Sequence, residues 1–78
     1  MSDVSAIIHE CLTTDLLEPG VELTEDTPLL ELIDSMGILT LVGLVEDEFD
    51  ITIDADEVSA QNFASVKTVT GLVEAKLG

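Results

Sequence analysis

The sequence contains no arginine, no tryptophan and no tyrosine, and it has one histidine, one cysteine and two lysines. Each shortage excludes something. Nucleic acid and anionic membrane surfaces are bound through clustered Lys and Arg, so neither is an expected partner. Cys11 alone permits no internal disulfide and fits a reducing, cytoplasmic setting. A zinc site needs more nitrogen and sulfur ligands than His9 and Cys11 supply. Those two residues are also two apart on one expected helix, so their side chains diverge and cannot form a nucleophile–base pair. Cys11 falls on an apolar stripe and reads as core; His9, beside the stripe, reads as a solvated surface residue. No stretch approaches the run of about 18 apolar residues that spans a membrane. The longest apolar stretch, Met36 to Val45, is broken by Gly37, Thr40 and Gly43. The opening residues lack a basic region followed by an apolar run, so no signal peptide is expected. Without a catalytic constellation, no enzyme is expected either.

What remains is a short, acidic, aliphatic chain. Its 78 residues make one expected domain, 1–78, and 46% of them are hydrophobic. Only Phe49 and Phe63 are aromatic, so Leu, Ile and Val must fill the core. Seventeen carboxylates against two lysines give a net charge of −15. Such a charge favours a monomer and destabilises it by self-repulsion, and it is complemented by basic protein surfaces or divalent cations. Asp54, Asp56 and Glu57 cluster, as do Glu46, Asp47, Glu48 and Asp50. Neither group has the alternating ligands, central Gly and terminal Glu of a calcium loop, so they read as solvated helix ends.

Hydrophobic spacing predicts an all-α chain: a small irregular four-helix bundle with three longer helices, one short helix and a long first loop. Val4, Ile7, Ile8, Cys11 and Leu12 form one helical stripe, capped by Ser2 or Asp3 and ended by Pro19-Gly20. The connection from Glu18 to Asp34 carries Val21, Leu23, Leu29, Leu30, Leu32 and Ile33. It should therefore pack on the domain, with a single turn beginning at Thr27-Pro28. A second helix is expected from Ser35 to about Phe49 with Asp34 as N-cap. Ile51 to Ile53 crosses in extended form. Asp54 and Glu57 form a capping-box pattern opening a short helix near Asp56 to Ala60. Ser65 caps a last helix with the inner stripe Val66, Val69, Val73 and Leu77, and Lys76 lies near its C-terminal dipole.

Ser35 is the residue with chemical promise. First in a helix after an Asp cap, its hydroxyl lies at the positive end of the macrodipole, beside free backbone N–H groups that favour a phosphate. No base is at hand, so another enzyme must attach whatever it carries. The competing reading is a plain helix cap. An Asp-Ser-aliphatic triplet arises by chance about once per thousand residues at average composition.

The triplet has company. Leu32-Ile33-Asp34-Ser35-Met36, an apolar helix to Val45, then Glu46-Asp47-Glu48-Phe49-Asp50-Ile51 resembles the acyl carrier and peptidyl carrier protein family. Thr24 to Leu29 and Phe63 to Leu77 resemble that family's first loop and last helix, so the likeness spans nearly the whole chain. It implies 4′-phosphopantetheine on Ser35, a supporting role for Asp34, and no catalysis. The implied partners are a phosphopantetheinyl transferase, a loading enzyme (adenylating enzyme or acyltransferase) and a downstream synthase or transferase. Two departures stand out. Ile33 lies where family members have a small residue. On the second helix, at about 100° per residue, Met36, Thr40, Gly43, Leu44 and Asp47 are expected on the outward, partner-reading side, away from Leu39, Val42, Val45 and Phe49. Fatty-acid carriers bear several acids there. Here acids begin only at Glu46, which is more like aminoacyl carriers such as D-alanyl carrier proteins and carriers of specialised polyketide or nonribosomal peptide pathways. The rivals are a fatty-acid carrier and an unmodified acidic adaptor for a basic protein.

The charge carries a prediction. Thermal melts should rise with added sodium chloride, and rise further with magnesium or calcium at equal ionic strength, as self-repulsion is screened. Flat or falling melting temperatures would remove repulsion as a significant term.

Overall fold

The computed structural model describes residues 3–17 and 20–78. The expected cap at Ser2 and the expected stop at Pro19 lie outside the described residues. Four α-helices form, α1 (Asp3–Cys11), α2 (Leu29–Leu32), α3 (Ser35–Phe49) and α4 (Val66–Leu77), with no strand among the described residues. The chain is all-α, a small helical bundle.

Helix α1 buries Ile8 completely and Cys11 almost so, Leu12 just beyond it is sealed as well, and α1 packs chiefly on α4. Beyond Cys11 the helix widens into π-helical turns over Leu12–Leu16, closed by Leu17 N–H donating to the Leu12 carbonyl at 2.8 Å. Thr13 helps explain the change, because its hydroxyl donates to the Glu10 carbonyl 3.3 Å away and competes for the ladder.

The following loop is tied down at several points. Ser5 donates from its hydroxyl to the Glu25 carboxylate at 2.9 Å, and His9 Nε2 lies 3.0 Å from the Leu23 carbonyl. His9 is therefore a partly buried tether between α1 and the loop, not the solvated residue expected from its position beside the stripe. Lys67 N–H donates to the Glu25 carbonyl at 3.1 Å, and Leu29 N–H to the Ala64 carbonyl at 2.8 Å. Leu23, Leu29 and Ile33 are buried as the packing argument required, whereas Val21, Leu30 and Leu32 stay exposed. The turn expected at Thr27-Pro28 is α2, with Pro28 as its N-cap.

Helix α3 turns Ile38, Leu41, Val42 and Val45 into the core. It ends where Asp50 takes a left-handed conformation (φ 54°, ψ 49°) and Ile51 N–H returns to the Glu46 carbonyl. The extended crossing is fixed by Ile53 N–H donating to the Glu46 carboxylate at 2.8 Å. The short helix expected over Asp56 to Ala60 is instead one 3₁₀ turn, Ala55–Glu57. The capping box opens it, with Asp54 N–H donating to the Glu57 carboxylate at 3.0 Å, but Val58 leaves the helical conformation (φ −82°, ψ 83°) and ends it. In α4, Ser65 caps the start and Val66, Val69 and Val73 are fully buried. Leu77 is half exposed, so the inner stripe stops a turn earlier than its spacing suggested.

Lys76 reaches back to the Glu57 carboxylate at 2.6 Å. That hydrogen bond, then the Asp54 N–H, holds the Glu57 carboxyl below its ordinary value of 4.5. A depressed carboxyl contributes stability above its unfolded pKa, and the contribution is lost as pH falls through the folded value. The melting-temperature gap between wild type and Glu57→Gln should thus be constant above about pH 5 and close as pH drops below 4.5. Relief of general repulsion on acidification acts on both chains and cancels in the difference. A gap independent of pH would show that the pair contributes nothing.

Candidate functional site

Ser35 is the first residue of α3, and its side chain is exposed. Asp34 precedes it in extended conformation and accepts a hydrogen bond from Gly37 N–H at 2.9 Å through Oδ1. Its carbonyl takes the Ile38 N–H at 3.0 Å, the first bond of the helix. The N–H groups of Ser35 and Met36 are left without intrahelical partners, as the geometry of a helix start requires. The N-cap and first residue expected from the sequence are the ones observed.

Ser35 borders a mainly apolar cleft. The cleft, of about 300 Å³, opens between α2, α3 and the chain before α4, lined by Leu30, Ile38, Leu39, Val58 and Phe63. A second, more open depression beside Asp34 is bordered by Leu16, Leu30, Glu31, Leu32, Ile33 and Gly37. Met36 is 70% exposed, Leu39 57% and Leu30 49%, in a chain whose other large aliphatics are mostly buried. Thr40 is exposed, with its hydroxyl donating to the Met36 carbonyl at 3.0 Å. Gly43 and Asp47 are exposed on the same side.

One expected member of that face is elsewhere. Leu44 is only partly exposed and packs on the core, whereas Leu39, expected inward, faces out. At about 100° per residue both leucines fall on flanks of the Ile38–Leu41–Val42–Val45 stripe, so spacing cannot rank them. What lies beside each flank decides: Leu44 meets the core, and Leu39 borders the open cleft. Glu46 is not the solvated acid expected, because its carboxylate accepts from Ile53 N–H, while Asp47 and Glu48 stay exposed. Leu30, Val58 and Phe63 were not legible as site residues. Phe63 lies three residues before the start of α4 and carries no signal of where its ring goes.

Elsewhere the site chemistry is thin. Burial, then the charges of Glu48, Asp15 and Glu10, push the Cys11 thiol up, which keeps it protonated in the core. Among the described residues no group of three or more His, Cys, Asp or Glu is arranged to hold a metal. No helix there is long and apolar enough to cross a membrane.

The family model of the phosphopantetheine attachment site matches residues 6–75. The chain belongs to the phosphopantetheine-binding carrier proteins. The carrier is 36% identical over 70 residues to aminoacyl carrier protein 1 of Bradyrhizobium diazoefficiens, an alignment covering 85% of this chain and 78% of that protein. It also superposes, with a TM-score of 0.69 and 28% identity, on a chain of the crystal structure of Bradyrhizobium japonicum glycine:[carrier protein] ligase complexed with glycylated carrier protein. That match covers 88% of this chain and 92% of the other. Its cofactor is 4′-phosphopantetheine, and it is a substrate of other enzymes, not a catalyst. The residues present fit such a group: an exposed hydroxyl, two adjacent N–H donors at a capped helix start, and an apolar cleft alongside.

The two flanking leucines give a direct test. Leu44→Glu should lower stability by about 1–3 kcal/mol, through lost burial and a carboxylate forced against the core. Leu39→Glu should change it by less than about 0.5 kcal/mol, as at other exposed positions. Denaturant melts of both variants decide, and equal losses would contradict the orientation of α3.

Proposed function

We propose that Ser35 carries the 4′-phosphopantetheine arm and that the carrier delivers aminoacyl groups held on it as thioesters. The observation that carries this reading is the exposed Ser35 hydroxyl at the capped start of α3, within the matched family segment and beside an apolar cleft. Asp34 holds the first turn in place. The N–H groups of Ser35 and Met36 are disposed to meet the phosphate, where the helix dipole also favours negative charge. Leu30, Ile38, Leu39 and Phe63 offer apolar surface along which the arm can lie. When attached, the group supplies the thiol that forms the thioester. No His or Lys neighbours Ser35 in sequence, so a phosphopantetheinyl transferase brings the base that takes its proton.

Partner enzymes read the outward face of α3, formed by Met36, Leu39, Thr40 and Gly43 with Asp47 at its edge. This set keeps the expected face but replaces Leu44 with Leu39. The loading partner is an adenylating ligase that activates an amino acid, and a downstream transferase or synthase accepts it. Two facts favour aminoacyl cargo over a fatty-acid role: the likeness to an aminoacyl carrier protein, and the absence of acids between Ser35 and Val45.

The first measurement is intact mass after treatment with a broad-specificity transferase, coenzyme A and magnesium. A single arm should be added, and none to Ser35→Ala. A folded wild type that stays unmodified by several transferases would favour the adaptor reading. The second is loading by a carrier-protein ligase offered amino acids. Leu39→Glu should weaken loading about ten- to a hundredfold, as loss of a central apolar anchor does. Asp47→Ala should do less, with an effect that fades in high salt. The reverse ranking would point to electrostatic recognition of the fatty-acid type.

A further inference from the structure

Gly37 occupies a space that no side chain could share. A Cβ built there would lie 2.9 Å from Ile33 Cβ and 3.6 Å from both Ile33 Cγ2 and Asp34 Oδ1. Side chains essentially never approach at 2.9 Å, and ordinary contact begins at 3.4 Å. The obstacle is a Cβ fixed to backbone, not the free end of a flexible chain. Ile33 cannot easily retreat, because it is buried and its N–H donates to the Leu29 carbonyl at 2.9 Å. The other glycines within helices differ. Gly43 and Gly71 have nothing within 4 Å of a built Cβ.

We infer that Gly37 is a positioning residue: its bare Cα lets buried Ile33 press against the first turn of α3, and that contact sets where Ser35 presents its hydroxyl. Only Asp34, Ser35 and Met36 lie between the two residues, so any relief of the clash is absorbed by these three. The cap lies in the same stretch, because Asp34 Oδ1 accepts from Gly37 N–H at 2.9 Å, so a shift of residue 37 away from Ile33 also moves the donor of the cap. Added bulk at 37 therefore acts on the Ser35 hydroxyl and on the cap together. The consequence for arm attachment rests on Ser35 being the residue modified.

The test compares arm transfer to wild type, Gly37→Ala, Ile33→Gly/Gly37→Ala, Gly71→Ala and Val73→Ala, at a temperature where circular dichroism shows each folded. Displacements approaching 1 Å at a reacting group can cost about a hundredfold in rate. Gly37→Ala should accordingly lose at least about tenfold in transferase kcat/KM. Hydrogen exchange at the residue 37 amide should quicken as the cap loosens. The double variant should recover most of the rate although it melts lower still, because the clash is gone while a buried side chain is lost. Gly71→Ala should melt at or above wild type and be modified normally, and Val73→Ala should melt lower and be modified normally. Three results overturn the inference: a wild-type rate in Gly37→Ala, no recovery in the folded double variant, or an equal loss of rate in Val73→Ala. Amide exchange at residue 37 needs no arm, so an unchanged value in Gly37→Ala overturns it whatever the modification result. Modification that persists in Ser35→Ala overturns the assignment of Ser35 instead.

Discussion

The hydrogen bond from Gly37 N–H to the Asp34 carboxylate fixes where α3 begins, and a line of further bonds ties that point to the rest of the molecule. Ile33, one residue before the cap, donates to Leu29, and Leu29 donates to Ala64. Ala64 stands next to Ser65, the cap of α4. The starts of α2, α3 and α4 are thus joined through backbone bonds, and the loop before α3 is held as firmly as a loop of this length can be. Buried Leu29 and Ile33 supply the apolar side of the same arrangement. The site needs it. A hydroxyl on a frayed helix end would be spread over many positions, and ordering it would consume binding energy of the incoming enzyme.

Electrostatics works against this order. With a net charge of −15, folding gathers like charges, and the Glu57–Lys76 pair is the ion pair found among the described residues. A surface pair of this kind contributes little. Stability must come from the aliphatic core, where Ile8, Leu12, Leu29, Leu41, Val45, Val66, Val69 and Val73 are sealed from solvent. The distribution of the acids matters more than their number. None falls between Ser35 and Val45, so the long-range field is negative while the first turns of α3 after Ser35 are uncharged. Charge can steer a basic partner inward from a distance, and apolar side chains then determine the fit.

The helices of this chain were legible because their signals are local. Asp34, Ser65 and the Asp54–Glu57 box each cap through side-chain bonds spanning three residues, and the apolar stripes of α1 and α3 repeat at helical spacing. What could not be read depends on neighbours distant in sequence. Leu39 and Leu44 are equivalent flanks until the position of Phe63 and Val58 makes one of them the wall of a cleft. His9 gains its role from Leu23, fourteen residues away. Glu46 reads as one acid among several until the crossing segment brings Ile53 N–H to it. Leu77 fits its stripe by spacing, but the core ends before the last turn of α4.

The small size of the apolar area around Ser35 has its own logic. On the proposed reading the arm is attached, loaded and unloaded by three enzymes in turn, each of which docks near Ser35 and then leaves. A large, dry interface would give tight binding and slow release, since affinity is set mainly by the dissociation rate. Met36, Leu39 and Leu30 expose a few apolar side chains, and interfaces of limited area suit transient encounters. Each enzyme can still be discriminated, because specificity is a difference between affinities and needs no high absolute value. The chemistry of a thioester is the same for every cargo. On the proposed reading, selection of cargo therefore falls to whichever enzyme recognises the first two turns of α3.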